Sequence, residues 1–396
     1  MSLYLCKIMS SASKLNFNNT TIAFSHKSNM ELKKARLLFK SFGYNWLLAA
    51  GPVLAKIAIH AGFKGVIKST VFEQFCGGEN LAECKKWIQQ LASRNVGTIL
   101  DYSVEGEEEE EIFDETCSEI MRTIDMAAGN ENIPFTVFKT TGIGRFGLLE
   151  KVSQGLMLSE EDEEEYNKLK ERFEGICQKA HDKDVRVFVD AEETWIQPAI
   201  DALAEAMMYK YNTDKAIVYN TIQLYRWDRL EYLQRTIKNS AHFLGFKLVR
   251  GAYMEKEAAR AIEKGYDNPI QPSKLACDND YNEAIKICIE HLDKVSICVG
   301  THNEKSSKYC AELMDEYGID KNDERIYFSQ LYGMSDHISF NLSEANYKVA
   351  KYLPYGPVAA VVPYLTRRAQ ENTSAAGQAG RELTLINNEL RARAKS

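Results

Sequence analysis

What the sequence lacks narrows the field first. Its nine cysteines are an odd number, and no Cys-x-x-Cys or paired Cys/His spacing occurs. Neither a disulfide framework nor a zinc site is supported, and reduced thiols in a cytosol-like compartment are the expectation. Positive charge is not in excess: the net charge is −7, which argues against nonspecific nucleic-acid binding and against a polybasic membrane anchor. A small anionic substrate is left open, because it responds only to local charge. No unbroken apolar run is long enough to span a bilayer. Tyr44–Gly62 comes nearest, but Gly51-Pro52, Lys56 and His60 interrupt it, so it reads as buried helix. No Ser-His-Asp order, Cys–His pairing or metal-ligand spacing of acids stands out. The first acidic residue is Glu31, yet the Lys and Ser before it come without Arg or a clear amphipathic pattern. Residues 1–29 therefore read as a flexible leader rather than a transit peptide.

What is present can fill a large core. The chain has 396 residues, 45% apolar and 27% charged, enough for one large α/β domain with an extension, or for two domains. Residues 30–95 read as a helical arm, with Leu32, Ala35, Leu38 and Phe39, then Leu81, Cys84, Trp87, Ile88 and Leu91, at helical spacing. From Gly97 the rhythm changes. Short β-rich runs, Thr98–Leu100, Phe135–Phe138, Val185–Val189, Ala216–Tyr219, Phe246–Val249, Ser296–Val299, Arg325–Phe328 and Lys348–Leu353, alternate with helical stretches such as Ile112–Ala128, Glu160–Lys179 and Leu230–Leu244. Strict alternation implies a parallel sheet, and eight repeats over roughly 260 residues suit an α/β fold of the TIM-like (β/α)8 barrel type across residues 96–376. An open doubly wound sheet is the alternative. Residues 377–396 read as a charged C-terminal helix or tail.

In such a barrel, chemistry sits where the strands end. Here every end is polar: Asp101-Tyr102-Ser103, Lys139-Thr140-Thr141, Asp190-Ala191-Glu192-Glu193, Asn220 and Gln223, Lys247 and Arg250, Thr301-His302-Asn303, Gln330-Leu331-Tyr332, and Tyr352. Singly, Lys139 could snorkel, His302 could end a strand and Asp190 could cap a helix. Together, with three cations among them, they suggest a pocket for an anion. Gly142, Gly144 and Gly147 match G-x-G-x-x-G, but the next strand comes only at Val185, so they read as loop glycines rather than a dinucleotide site.

The stretch Lys351–Asn372 supplies the last part. Tyr364, Arg367, Arg368 and Glu371 share one helical face, on which neighbouring guanidiniums are suited to hold a carboxylate. Pro363 suits a first helical position, so the working helix is expected to start there, with Tyr355–Val362 as connector. With no nucleophile–base pair in view, redox or proton chemistry would fall to an organic cofactor.

These residues resemble the proline dehydrogenase family. The resemblance rests on Lys247-Leu-Val-Arg250-Gly-Ala-Tyr253, Asp190-Ala-Glu-Glu193, Gly300-Thr-His-Asn303, Gln330-Leu-Tyr-Gly-Met334, Tyr352-Leu-Pro-Tyr-Gly356 and Tyr364-Leu-Thr-Arg367-Arg368-Ala-Gln-Glu371-Asn372, in family order over roughly residues 97–375. It implies a distorted (β/α)8 barrel that binds FAD, with the last barrel helix covering the substrate. Lys139, Arg367 and Arg368 would hold the carboxylate of L-proline, oriented by Asp190. Tyr253, Leu331, Tyr352 and Tyr364 would wall its ring. Gln223, Lys247, Arg250, Gly251, Ala252, Thr301, His302 and Asn303 would contact FAD, and Glu371 would brace the flavin side. Lys247 and Arg250 stand in reversed order relative to bifunctional bacterial relatives. The implied activity is oxidation of proline to Δ1-pyrroline-5-carboxylate, with electrons passed to a membrane quinone. No metal is implied. The setting would be cytoplasmic and peripheral on the inner membrane, or mitochondrial in a eukaryote. A hydroxyproline dehydrogenase of the same fold is the nearest alternative, and Tyr352 favours proline. A nicotinamide enzyme using Gly142–Gly147, and a binding module without activity, are the more distant ones. An acid at Glu105 or Glu107 is expected to pair with Arg367.

Overall fold

The computed structural model describes residue 12 and residues 15–42, 65, 68–103, 108–374 and 378–395; for 69, 369–374 and 378–379 it describes the backbone only. The strands are β1 (Val96–Tyr102), β2 (Phe135–Phe138), β3 (Arg186–Val189), β4 (Val218–Gln223), β5 (Leu244–Val249), β6 (Val295–Gly300), β7 (Ile326–Leu331) and β8 (Val349–Tyr355). They pair in chain order, all in parallel. β8 closes on β1 with Ile99 opposite Tyr352, which makes a closed barrel and removes the open-sheet alternative.

Alternation along the strands sorts the apolar residues into two layers. Ile99, Phe135, Val137, Phe188, Tyr219, Cys298, Tyr327, Ala350 and Tyr352 fill the barrel interior as one cluster. Their neighbours, such as Leu100, Val187, Phe246, Leu248 and Phe328, face the helices in a second, larger cluster. Several strands run further than expected, β1 among them, from Val96 to Tyr102. β4 takes in the polar Asn220-Thr221-Ile222-Gln223, and β7 and β8 continue to Leu331 and Tyr355. Backbone pairing inside a closed barrel tolerates polar side chains that a propensity reading assigns to loops.

The helices in order are α1 (Thr20–Ala23), α2 (Asn29–Ser41), α3 (Leu81–Ala92), α4 (Glu110–Ala127), α5 (Phe146–Ser153), α6 (Glu160–Asp182), α7 (Gln197–Tyr211), α8 (Arg229–Asn239), α9 (Met254–Lys264), α10 (Lys274–Glu290), α11 (Glu304–Glu316), α12 (Asp336–Glu344), α13 (Val358–Ser374) and α14 (Gln378–Arg393). α8 stops at Asn239, and Leu244 already opens β5, so the helix expected over Leu230–Leu244 is shorter. Acidic residues crowd two helix starts, Glu110 and Glu111 in α4 and Glu160–Glu163 in α6, where they complement the macrodipole. They also serve as partners: Asp162 and Glu165 hold Arg145, and Glu110 holds Arg172. Gly142 ends a 3₁₀ turn, and Gly144 packs against Leu169 of α6, where a Cβ would lie 2.6 Å away. Gly142 and Gly144 thus belong to the connection, whereas Gly147, expected there too, lies inside α5.

Two expectations about the ends of the chain change. Within the segment read as leader, Leu15, Phe17, Ala23 and Phe24 are buried, and Asn19 accepts a hydrogen bond from Asn341 of α12. The C-terminal helix is packed as well. α14 buries Leu385 and Ile386 against the arm, and its Arg393 donates to the carbonyls of Phe24 and Lys27. The eight described cysteines are buried and unbridged. Among the described residues no helix is long and apolar enough to cross a membrane, and the run Tyr44–Gly62 lies outside them.

Candidate active site

Asp190 follows β3 directly and is fixed there by its N–H, which donates to Phe138 O of β2 at 2.9 Å. Three side chains converge on its carboxylate. Lys247 lies on the inward face of β5, since its neighbours Phe246 and Leu248 face out, and donates to Oδ1. The Tyr352 hydroxyl donates to Oδ2 at 2.8 Å. Lys139, just past β2, has its Nζ 4.0 Å from Oδ2. The Lys247 ammonium also lies over the rings of Phe188 and Tyr352, at 5.3 and 4.8 Å. Burial by itself would raise the Asp190 carboxyl, but Lys247 and Lys139, with the hydrogen bonds from Lys247 and Tyr352, hold it below its ordinary value. Burial, with Asp101, Asp190 and Tyr364 near, keeps the Tyr352 phenol protonated. Two ammoniums share the one carboxylate of Asp190, so its charge does not cancel both, which suits an incoming anion.

A second acid works beside the first. Glu192 is buried, and its carboxylate takes the N–H of Thr141 at 3.0 Å and the Thr141 hydroxyl. Its own N–H donates to Gln197 at 2.8 Å, and its carbonyl accepts from Gln223 Nε2 at 3.1 Å. Gln223 Oε1, at the end of β4, is buried and has no partner among the described residues.

Around β5 and β6 the side chains are tied to one another. Arg250 donates to Asp278, Thr301 and Ser306 and lies over Tyr281 at 4.3 Å. Asn303 caps α11, accepting from the N–H groups of Lys305 and Ser306. His302 Nδ1 is 2.9 Å from Ser335 Oγ. Burial, with the charges of Lys351, Arg368, His337 and Arg250, drives its pKa down to about 3, so the ring is neutral at any ordinary pH. Gly251 has φ +133°, and a Cβ there would lie 2.4 Å from the Tyr225 ring, so only glycine fits. Gly251 and Ala252 are exposed, and Tyr253 caps α9.

The helix over the mouth is α13. It begins at Val358, not at Pro363, and carries Pro363 inside it. The reason is packing: Val358, Val361, Tyr364 and Leu365 are all buried in the cluster shared with the arm, which outweighs the missing N–H. Leu331 packs against both this cluster and the barrel interior. Arg368 is buried with its guanidinium 5.0 Å from the Tyr364 ring centre, while Arg367 is half-buried.

Lys139, Asp190, Lys247 and Tyr352 therefore meet directly, Leu331 and Tyr364 lie near Tyr352, and Arg368 is joined to them through the Tyr364 ring. Arg250, Gly251, Thr301, His302 and Asn303 form the neighbouring rim. Tyr253 has its ring under the Lys256 ammonium, at 5.9 Å. Glu371 lies in α13 with its side chain outside the described ones, as do Glu105 and Glu107, so the pairing expected for Arg367 lies there too. Glu192 stands in the Asp-Ala-Glu-Glu motif, and the sequence alone assigns it no task. Its signal was the second acid of Asp-Ala-Glu-Glu at a strand end. Asp101, buried at the end of β1 and bonded by Ser103, was passed over in the same way. Among the described residues no group of acids, histidines and cysteines could hold a metal.

A closed parallel barrel with cations gathered at its C-terminal mouth is the architecture of a (β/α)8 enzyme. The family is shown by comparison: the proline dehydrogenase family model matches residues 84–381. This chain belongs to the proline dehydrogenase family, flavin-dependent oxidoreductases that take the first step of proline catabolism. It is 32% identical over 374 residues to proline dehydrogenase 2, mitochondrial, of Arabidopsis thaliana, covering 83% of this chain and 79% of that protein. It is 35% identical over 331 residues to the carbapenem antibiotics biosynthesis protein CarD of Pectobacterium carotovorum subsp. carotovorum, covering 83% of this chain and 85% of that protein. The crystal structure of proline utilization A from Bdellovibrio bacteriovorus shares the fold with a TM-score of 0.71 at 19% identity, over 92% of this chain. The chain spans only 39% of the length of that solved chain.

Proposed function

We propose that this chain oxidises L-proline to Δ1-pyrroline-5-carboxylate with FAD as its cofactor and passes the electrons to a quinone. The observation that carries the reading is the pair of lysines on Asp190 at the barrel mouth, with buried Arg368 on the helix above. Lys139, Arg367 and Arg368 hold the proline carboxylate, and Asp190 orients Lys139. Tyr253, Leu331, Tyr352 and Tyr364 wall the ring and exclude water. Tyr352 does so as a phenol, because its hydroxyl donates to Asp190.

The donor set suits a flavin. Gln223 offers a buried acceptor without a partner among the described residues, the glycine backbone at Gly251 admits close approach, and Lys247 and Arg250 supply positive charge. Ala252, Thr301, His302 and Asn303 complete that contact, and Glu371 braces it from α13. When bound, FAD supplies the hydride acceptor for proline C5. The protein's part is to hold the carboxylate, and so C5, in one place. With Lys247 on Asp190, its charge is balanced in the resting site, and it reaches the flavin as a paired rather than a free cation. Electron delivery to a quinone implies a peripheral membrane contact, in the mitochondrion if the source is eukaryotic and at the cytoplasmic face of the inner membrane otherwise.

The test is optical. Purified protein loaded with flavin should bleach on anaerobic addition of L-proline and recover colour with a quinone. A fully loaded flavin that stays oxidised with proline refutes the reading. Tyr352 leaves little room for a ring hydroxyl, so hydroxyproline should turn over more slowly than proline.

A further inference from the structure

Glu192 is a residue of the mouth to which the reaction gives no task. Its four hydrogen bonds run to two strand ends, those of β2 and β4, and to the first residue of α7. Through Thr141 it holds the turn that starts at Lys139, in which Gly142 N–H donates to Lys139 O at 3.1 Å and Ile143 N–H to Thr140 O at 3.1 Å. Its main-chain carbonyl takes Gln223 Nε2 and so decides which end of that amide has no partner among the described residues. Its N–H is pinned by Gln197, whose Nε2 donates to Asp201, itself paired with Arg229 behind the barrel.

We propose that Glu192 is a positioning residue that sets Lys139 and Gln223 relative to one another across the mouth and, through the charge of its side chain, sets how strongly the mouth takes a carboxylate. This rests on the roles given above to Lys139 and Gln223.

The surroundings make that charge conditional. Burial first, then Glu193, push the Glu192 carboxyl up to about 8, against the Thr141 hydrogen bonds and the charge of Lys139. Glu193 is itself bridged by Lys256. Below that pH the carboxyl carries its proton and can donate to Thr141 Oγ1 while its carbonyl oxygen takes the Thr141 N–H. Above it, both oxygens only accept, and a new negative charge draws on Lys139. A carboxylate ligand then meets a weaker mouth.

Glu192→Gln separates the effects, because its amide has the donor and acceptor of the neutral acid and cannot ionise. The probe is L-tetrahydro-2-furoic acid, which has the ring and carboxylate of proline but no amine to titrate. Its dissociation constant, read by calorimetry on the flavin-loaded protein from pH 6.5 to 9.5, should weaken severalfold through pH 8 in the wild type and stay flat in Glu192→Gln. KM for proline should follow the same split while kcat near pH 7 is kept. Superimposable profiles for the two proteins overturn the proposal. So does a flat KM for proline in Glu192→Leu at pH 7, where the Thr141 contacts are lost in any charge state. A wild type that binds the probe but does not bleach with proline refutes the proposed reaction instead, and leaves the carboxylate profile to decide the role of Glu192.

Discussion

Lys247 and Asp190 meet inside the barrel, one from β5 and one from the end of β3, and neither is more than 12% exposed at its side chain. A buried pair of this kind is costly to break from one side, since the remaining charge stays buried alone. Asp190→Ala should therefore destabilise the fold by about 3–5 kcal/mol, because it strands Lys247 and leaves Lys139 without its carboxylate. Urea unfolding at pH 7 measures this, and a loss near zero would mean that the lysines find other partners. The sign with pH follows from the depressed carboxyl. Stability from Asp190 is present above its unfolded value of 3.8 and is lost as pH falls through its lower folded value.

Glu192 carries the opposite sign. Its folded pKa is raised from 4.5 to about 8, so its contribution is fully present below 4.5 and is lost as pH climbs through 8. Melting temperature should fall between about pH 5 and pH 8 and level off above it, and the fall should be smaller in Glu192→Gln. Equal slopes in the two proteins would show that the carboxyl titrates at an ordinary pH.

Arg368→Met should raise KM for proline while flavin stays bound. It removes a charge-assisted contact of about 2–3 kcal/mol and keeps an apolar stem against Tyr364. An unchanged KM would take Arg368 off the substrate.

Gly251→Ala tests the rim. A Cβ at φ +133° would meet the Tyr225 ring at 2.4 Å, and strain of about 1–3 kcal/mol is expected from the backbone alone. The ratio of flavin to protein after purification should drop, with the barrel's far-ultraviolet circular dichroism kept. Full flavin loading would show that the backbone need not approach the cofactor here.

Much of the fold is written in local pattern. Alternation of β-rich runs with amphipathic stretches needs only neighbours in sequence, and it predicts eight strands and a barrel. The polar strand ends are legible for the same reason, since the topology sends every C-terminal end to one mouth. Pro363 misled because local rules place proline at a helix start, whereas Val358 and Val361 bury themselves against the arm and extend the helix backwards. Arg381–Lys395 shows charge and no obvious partner in sequence, yet α14 packs on α2, more than 300 residues earlier in the chain.

The sequence by itself determined the strand count, the parallel order, the cationic mouth and, through its motifs, the family. Only the tertiary structure decided which charges pair. Asp190 lies 51 residues from Lys139 and 57 from Lys247, and Glu192 reaches 51 residues back to Thr141 and 31 forward to Gln223. Distances of that kind are set by closure of the barrel, which brings separate strand ends within hydrogen-bond reach. A titration near pH 8 in Glu192 follows from burial, a property that no single stretch of residues carries.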